Sequence, residues 1–392
     1  MTDAFNPTPT MRNYTYCDLE DFKRNYKENV HGYLSLTVCI FGSIANIFNI
    51  CVLRTKQMRS PTNYILTGLA TADLLVMLQY IPFTIHRNLA PSPLHYNHFN
   101  YPWAIFYKFH SLFTLVLHFI SCVLTIILAI WRYVYVSQLH ASKICSDQKK
   151  TLIVIVISYI MCPLLCFPMF STLEIKEYQQ TCDRDGLIVL MKDRIKYDKY
   201  LLKNETIFLL YPNDPLQVSV WVYSLVLKLV PCLFLSVLSY LIISALIETR
   251  RRRLRLLNSC NPLEEFTKHR KSNSVQLFKD TQADRTTKML LAVLFLFLLT
   301  EFPQGILGQI SAIYGNVFLQ ECYSALGEVM DIMALINSSI TFILYCTMSR
   351  QFRVTFQEMF QIEKITRWMA LKRSSSKVTQ EENGVETKMS LV

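Results

Sequence analysis

Seven separated stretches of this chain are apolar for at least the roughly 20 residues that a helix needs to cross a bilayer core. They run over residues 31–53, 62–86, 103–136, 150–171, 218–247, 286–314 and 324–347. None shows the alternation that marks the strands of a membrane barrel. A segment in lipid must satisfy its backbone hydrogen bonds within itself, so seven helices are the expected solution. The hydrophilic stretches between them are too short to fold as separate domains. Composition agrees: of 392 residues, 52% are hydrophobic and 18% charged, with a mean hydropathy of +0.25, too apolar for a soluble globular chain. The expected fold is an all-α membrane protein, a seven-helix transmembrane bundle with a short amphipathic eighth helix. Its parts are an extracellular N-terminus (1–30), the bundle (31–347), the surface helix (348–361) and a disordered cytoplasmic tail (362–392).

Charge in the short loops sets the orientation. Arg54, Lys56 and Arg59 follow the first span, and Lys143, Lys149 and Lys150 separate the third from the fourth. Arg250, Arg251, Arg252, Arg253 and Arg255 follow the fifth. The excess of Lys and Arg places these loops in the cytoplasm and the N-terminus outside the plasma membrane. The net charge of +11 resides mostly in these loops and the tail, which points to anionic lipid and not to nucleic acid. Residues 1–29 carry no apolar signal region, so the first span is expected to act as its own insertion signal. Two glycosylation sequons, at Asn13 and Asn204, fall on the outer side; a third match at Asn337 lies within a span and is set aside. Of twelve cysteines, Cys17, Cys182 and Cys322 lie outside the spans, which allows three alternative pairings with one thiol left over.

Polar residues inside the spans are the functional candidates, because such groups are costly in lipid and turn toward the bundle interior. Asp73 sits halfway along the second span. Lys228 lies three residues before Pro231 in the fifth span, and Glu301 two residues before Pro303 in the sixth. Either charge buried alone would cost several kcal/mol. Gln79, His118, Glu328 and Asp331 are further inward candidates. The last span carries Asn337, Ser338 and Ser339, closes on Tyr345, and turns into a basic helix with Phe352, Phe356 and Phe360 at four-residue spacing. That spacing predicts a helix lying along the membrane surface. No metal-ligand spacing such as H-E-x-x-H occurs, and His118 with Asp73 is the nearest approach to a catalytic pair. Neither enzyme activity nor a cofactor is therefore expected.

Several motifs stand in a familiar order. They are Asn46 in span one, Leu69-Ala70-Thr71-Ala72-Asp73-Leu74-Leu75 in span two, Trp131-Arg132-Tyr133 ending span three, Pro231, Pro303, and the Tyr345 segment. Together they resemble the class A, rhodopsin-like G-protein-coupled receptors over residues 31–361. The chain departs from that pattern at Trp131, which replaces the acid before the arginine, and at Glu301, which replaces a tryptophan. Thr341-Phe342 replaces an Asn-Pro pair, span four lacks its tryptophan, and no cysteine lies at the outer end of span three.

The resemblance implies that Asp73, Ser121, Asn337 and Ser338, with Asn46, form a polar relay in the bundle core. It also implies a sodium site at Asp73, weakened by Thr341. It assigns coupling to the G protein to Arg132, Tyr133, Tyr345, Arg250 and Arg251. With Trp131 unable to supply the acid of the family's resting ion pair, and Ala283 with Asp284 where the span-six acid would lie, the resting state is expected to rest on packing.

A narrower set comprises Ile130-Trp131-Arg132-Tyr133, Lys228-Leu229-Val230-Pro231-Cys232 and Thr300-Glu301-Phe302-Pro303-Gln304-Gly305, with the last-span motif. It is similar to the invertebrate myosuppressin and FMRFamide-like neuropeptide receptors, particularly their nematode branch. That resemblance implies a ligand that is a short amidated peptide and an inhibitory heterotrimeric G protein as partner. Receptor kinase and arrestin are implied at Ser374, Ser375, Ser376 and Thr379. A peptide ending in Arg-Phe-amide needs a carboxylate for its guanidinium, with Asp331 first and Glu328 second, and Lys228 paired with Glu301 at the pocket floor. The alternatives are a chemosensory receptor for a non-peptide, and a small transporter, against which the lack of an internal repeat speaks. The connection 171–217 is read as a lid that captures peptide or as a solvated spacer.

Overall fold

Polar caps mark where several of the helices begin. In the computed structural model, which describes residues 17–90, 95–137, 147–189, 202–213, 222–259 and 270–361, a short helix (Glu20–Tyr26) runs through a π turn (Lys27–His31) into α1 (Gly32–Leu53). Ser60 accepts from the Asn63 backbone N–H at 3.2 Å and Pro61 occupies the first turn, opening α2 (Pro61–Asn88). Asn100 accepts from the Trp103 N–H at 3.1 Å and opens α3 (Tyr101–Val136); Asp147 opens α4 (Gln148–Cys166) in the same manner. A π-helical stretch (Tyr223–Leu229) leads into α5 (Val230–Ser259). Then follow α6 (Arg270–Tyr314), α7 (Ser324–Met348) and α8 (Arg350–Met359), the last capped by Ser349. Seven of the described helices are long and apolar enough to cross a membrane.

Inward and outward faces differ as lipid requires. Val76, Met77, Ile120, Leu124, Leu235, Ile242, Leu294 and Leu335 form the buried core, whereas Ile40, Phe41, Ile44, Ile153, Leu164 and Phe295 stay exposed. Burial of an apolar side chain gains little when the alternative is acyl chain, so close packing and polar contacts select the neighbours. α4 buries a narrow row of Thr151, Ile155, Ser158, Cys162 and Cys166, and the Tyr159 hydroxyl donates to the Gly68 carbonyl at 2.8 Å. α1 meets α7 where Gly42 lies: a Cβ there would stand 2.9 Å from that of Ser339.

The connection between α4 and α5, expected to be a lid or spacer, holds an antiparallel hairpin. β1 (Leu173–Cys182) pairs with β2 (Lys203–Pro212), Leu173 opposite Pro212 and Cys182 opposite Lys203. Tyr101 at the start of α3 packs on Phe208 at 5.2 Å, and Cys182, Ile188 and Ile207 make a small core of their own. Gly186 turns the chain with a φ of +80° and accepts from the Tyr96 N–H at 3.0 Å. A Cβ at Gly186 would meet His95 at 2.7 Å, so only glycine suits this joint. The hairpin marks one end of the bundle and α8 the other.

Asn204 is exposed on β2, where its side-chain oxygen accepts from Thr181 at 3.3 Å. Asn13 and the serines of the tail lie outside the described residues, as do the side chains of Ala283 and Asp284.

Candidate functional site

At the hairpin end α2, α3 and α7 enclose a cavity of about 300 Å³. One wall is aromatic: Phe83 stacks on His110 at 3.8 Å, and Tyr80 packs against Phe83 at 5.3 Å. The facing wall carries two carboxylates, Glu328 and Asp331, three residues apart on one face of α7. Arg87, in the last turn of α2, lines the same cavity with its guanidinium 5.6 Å from the Phe83 ring centroid.

The N-terminal segment completes the enclosure. Cys17 is disulfide-bonded to Cys322, which selects one of the three pairings left open and leaves Cys182 a buried thiol. Tyr26 packs edge-on against His31 at 5.7 Å, and His31 lines the cavity. Outside it, Trp103 stacks on His86 at 3.5 Å and His86 on His98 at 3.9 Å. Burial in that stack, with the Arg87 charge nearby, pushes His98 below the usual histidine range.

Of the residues expected at the ligand pocket, His118, Glu328 and Asp331 line the cavity. Gln79 does not: its amide N–H₂ is directed to the His110 ring, the His110 carbonyl at 3.2 Å and Thr114 at 3.1 Å, bracing the aromatic wall from behind. Lys228 donates to Glu301 in a buried ion pair, 4% and 5% exposed, within electrostatic reach of His118. Tyr80, Phe83, Arg87 and His110 line the cavity as well, without having stood out as candidates in the sequence. Their common signal is an aromatic and basic side chain recurring on the last three turns of α2 and the first turns of α3.

Deeper in the bundle, Ser121 donates to an Asp73 carboxylate oxygen at 3.3 Å, and Ser338 is hydrogen-bonded to the same side chain. Asn46 donates to the carbonyls of Gly42 and Ser338 at 2.9 and 3.0 Å, tying α1 to α7. Asn337 is half-buried and joins none of these bonds. Both polar atoms of buried Asn49, one turn further along α1, and the Tyr345 hydroxyl have no hydrogen-bond partner among the described residues.

At the α8 end Arg132 is buried and its Nε donates to the Thr287 hydroxyl of α6 at 2.7 Å. Trp131 turns the other way and donates to Thr151 of α4 at 3.4 Å. Replacing Thr287 by alanine should raise ligand-independent signalling several-fold, since a hydrogen bond to a charged group is worth about 1.5–3 kcal/mol. Serine at the same position should keep signalling low. Unchanged basal activity in well-expressed Thr287→Ala would refute this contact as a resting lock. Tyr133 is half-buried, and Arg250 and Arg251 are exposed. Tyr345 stacks on Phe352 of α8 at 5.1 Å.

Seven spans around a polar core, a buried arginine ending the third and an amphipathic helix after the seventh define a rhodopsin-like G-protein-coupled receptor, a multi-pass protein of the plasma membrane. The chain belongs to the Srw family: the model described as "Serpentine type 7TM GPCR chemoreceptor Srw" matches residues 33–363. The G-protein coupled receptor dmsr-1 of Caenorhabditis elegans is 30% identical over 87% of this chain and 70% of its own length. In Drosophila melanogaster the sex peptide receptor is 27% identical (93% of this chain, 79% of that protein). The FMRFamide receptor of the same fly is 24% identical (86% and 55%). Squid rhodopsin shares the fold, with a TM-score of 0.61 over 91% of each chain at 15% identity.

Proposed function

We propose that this chain is a cell-surface receptor for a short C-terminally amidated peptide ending in Arg-Phe, with its N-terminus outside and an inhibitory heterotrimeric G protein as its intracellular partner. The observation that carries this reading is the cavity itself, with carboxylates on α7 facing the aromatic pair Phe83 and His110. A guanidinium on Asp331, assisted by Glu328, and a phenyl ring against the aromatic wall satisfy both. An amidated end avoids placing a free carboxylate beside Glu328 and Asp331, which are less exposed on the lining than Arg87. Relatives whose names include the FMRFamide receptor and the sex peptide receptor add support for a peptide.

Glu301 and Lys228 then act as a switch beneath the ligand: contact through His118 loosens the pair and frees α6 to bend at Pro303. Asp73 with Ser121, Ser338, Asn46 and Asn337 relays the change, and Arg132, Tyr133 and Tyr345 engage the G protein. Arg250 and Arg251 face anionic lipid and the G protein. Kinase and arrestin act on the tail.

The test is G-protein activation in cells by a panel of amidated and free-acid peptides ending in Arg-Phe. Submicromolar responses confined to amides support the reading. Asp331→Asn should weaken potency roughly ten- to hundredfold, the loss of about 1.5–3 kcal/mol from one charge-assisted bond. The family description favours a second reading, a chemoreceptor for a non-peptide. Silence toward every peptide from a receptor present at the surface, with responses to small-molecule extracts, would put that reading first.

A further inference from the structure

Two opposite charges face one cavity without meeting. Arg87 at the end of α2 and Asp331 on α7 both line it, yet among the described residues neither takes part in an ion pair. The contrast with Lys228 and Glu301, which neutralise each other a short way off, is sharp. An exposed guanidinium beside an apolar wall is solvated on one side only, and a ligand carboxylate placed there gains a charge-assisted hydrogen bond without displacing an internal partner. The described contact of Arg87 is the face of Phe83, which positions the guanidinium and leaves its N–H groups to a further acceptor.

The positions of the two charges differ in depth. Arg87 is exposed in the last turn of α2, close to where that helix ends at Asn88, whereas Asp331 is half-buried, two turns into α7. The cavity, at about 300 Å³, is at the small end of ligand pockets, which span roughly 300–1,000 Å³. It accommodates the end of a peptide and not the whole. Arg87 and Ser111 are the exposed residues of its lining, so Arg87 stands beside the part of a peptide that extends beyond it.

We propose that Arg87 forms an anion subsite at the rim, so that the ligand is bipolar: a cationic side chain next to its amidated end, and a carboxylate side chain a few residues earlier that pairs with Arg87. This rests on the peptide reading above and specifies the chemistry of the part outside the cavity. A rim charge contributes mostly to encounter and selectivity, attracting one sign and repelling the other. Aspartate and lysine at the contact position should therefore differ more than aspartate and asparagine do.

The probes are hexapeptide amides with a common Arg-Phe-amide end and Asp, Asn or Lys placed third, fourth or fifth from that end. On the parent receptor, at one of these positions the Asp form should be about tenfold more potent than the Lys form, equivalent to 1.4 kcal/mol. The preference should fall at least threefold when the salt concentration is raised fivefold. Arg87→Gln should abolish the difference between Asp and Lys forms, read as the ratio of their potencies on that variant. Arg87→Glu should invert the order. Equal potency of the three forms on the parent at every position, or a preference that survives Arg87→Gln, overturns the subsite while the Arg-Phe-amide responses keep the peptide reading intact. No response to any amide overturns both.

Discussion

Glutamine at Glu301, or methionine at Lys228, is expected to abolish signalling and sharply lower the amount of folded receptor at the surface. Each substitution strands a charge that is about nineteen-twentieths buried, and breaking a buried pair from one side costs about 3–5 kcal/mol. Total stabilities of folded domains are only about 5–15 kcal/mol, so one such loss consumes much of the margin. Removing both charges is a different experiment. Lys228→Met with Glu301→Leu leaves no orphan, and such replacements are often neutral or stabilising. The double variant should therefore recover thermal stability, measured by the temperature at which detergent-solubilised receptor loses its monodisperse state, without recovering agonist response. Charge reversal, Lys228→Glu with Glu301→Lys, should recover both in part. Single variants as stable as the parent would show that the pair contributes nothing to folding. A fully responsive double variant would show that it is no switch.

Breaking the Cys17–Cys322 bond should do the reverse, sparing the bundle and damaging ligand recognition. The bond joins residues 305 apart in sequence, but the six spanning helices between them are held by the membrane in any case. What the bond restrains is the segment of about 15 residues from Cys17 to α1, for which a chain-entropy argument gives about 3 kcal/mol at most. That segment includes Tyr26, stacked on Phe22 and edge-on to His31, which in turn lines the cavity. Freed of its tether it exposes the α7 side of the cavity to water and adds ordering entropy to the binding of every ligand. Cys17→Ser with Cys322→Ser, or mild reduction of intact cells, should lower agonist potency by roughly tenfold or more. Surface amount and the thermal transition should stay near those of the parent. A collapse in surface amount would show that the bond serves folding, and unchanged potency would show that the segment has no part in recognition.

How much of this was legible from residues alone depends on the range of the interaction. The spans were legible because hydropathy is a local property, and α8 because Phe352, Phe356 and Phe360 repeat at helical spacing. Lys228 and Glu301 announced themselves as charges without local partners in apolar helices, and the family resemblance placed them close enough to meet. Thr287 gave no such signal. Threonines in these helices commonly return their hydroxyl to their own backbone, as Thr125 does to Ser121 and Thr300 to Phe297, and nothing in sequence separates them from one that holds Arg132. Gln79 looks ligand-facing in the sequence because its partners, His110 and Thr114, belong to another helix. The hairpin was missed because its alternation slips at Lys176 and Glu177 and its ladder joins residues about thirty apart. The disulfide needed three-dimensional proximity, which three equivalent pairings on paper do not supply.

The loop between the first two spans has a consequence for how the bundle can move. Its Gln57 side chain reaches Glu358 at 3.3 Å and Thr355 at 3.4 Å, and its carbonyl accepts from Gln351 at 2.9 Å. From the other side Arg353 donates to the carbonyls of Cys346 and Thr347, both at 2.8 Å. The surface helix is thus riveted to α7 and to the turn after α1, while Asn46 stitches the same two spans deeper in the membrane. These elements behave as a fixed frame, a stator. The α8 end of α6 is joined to α3 through Thr287 and Arg132, and it has the hinge of Pro303 above it. Widening of the bundle at that end is therefore expected as a rotor motion of α6 against a stationary half, with the Thr287 hydroxyl among its latches.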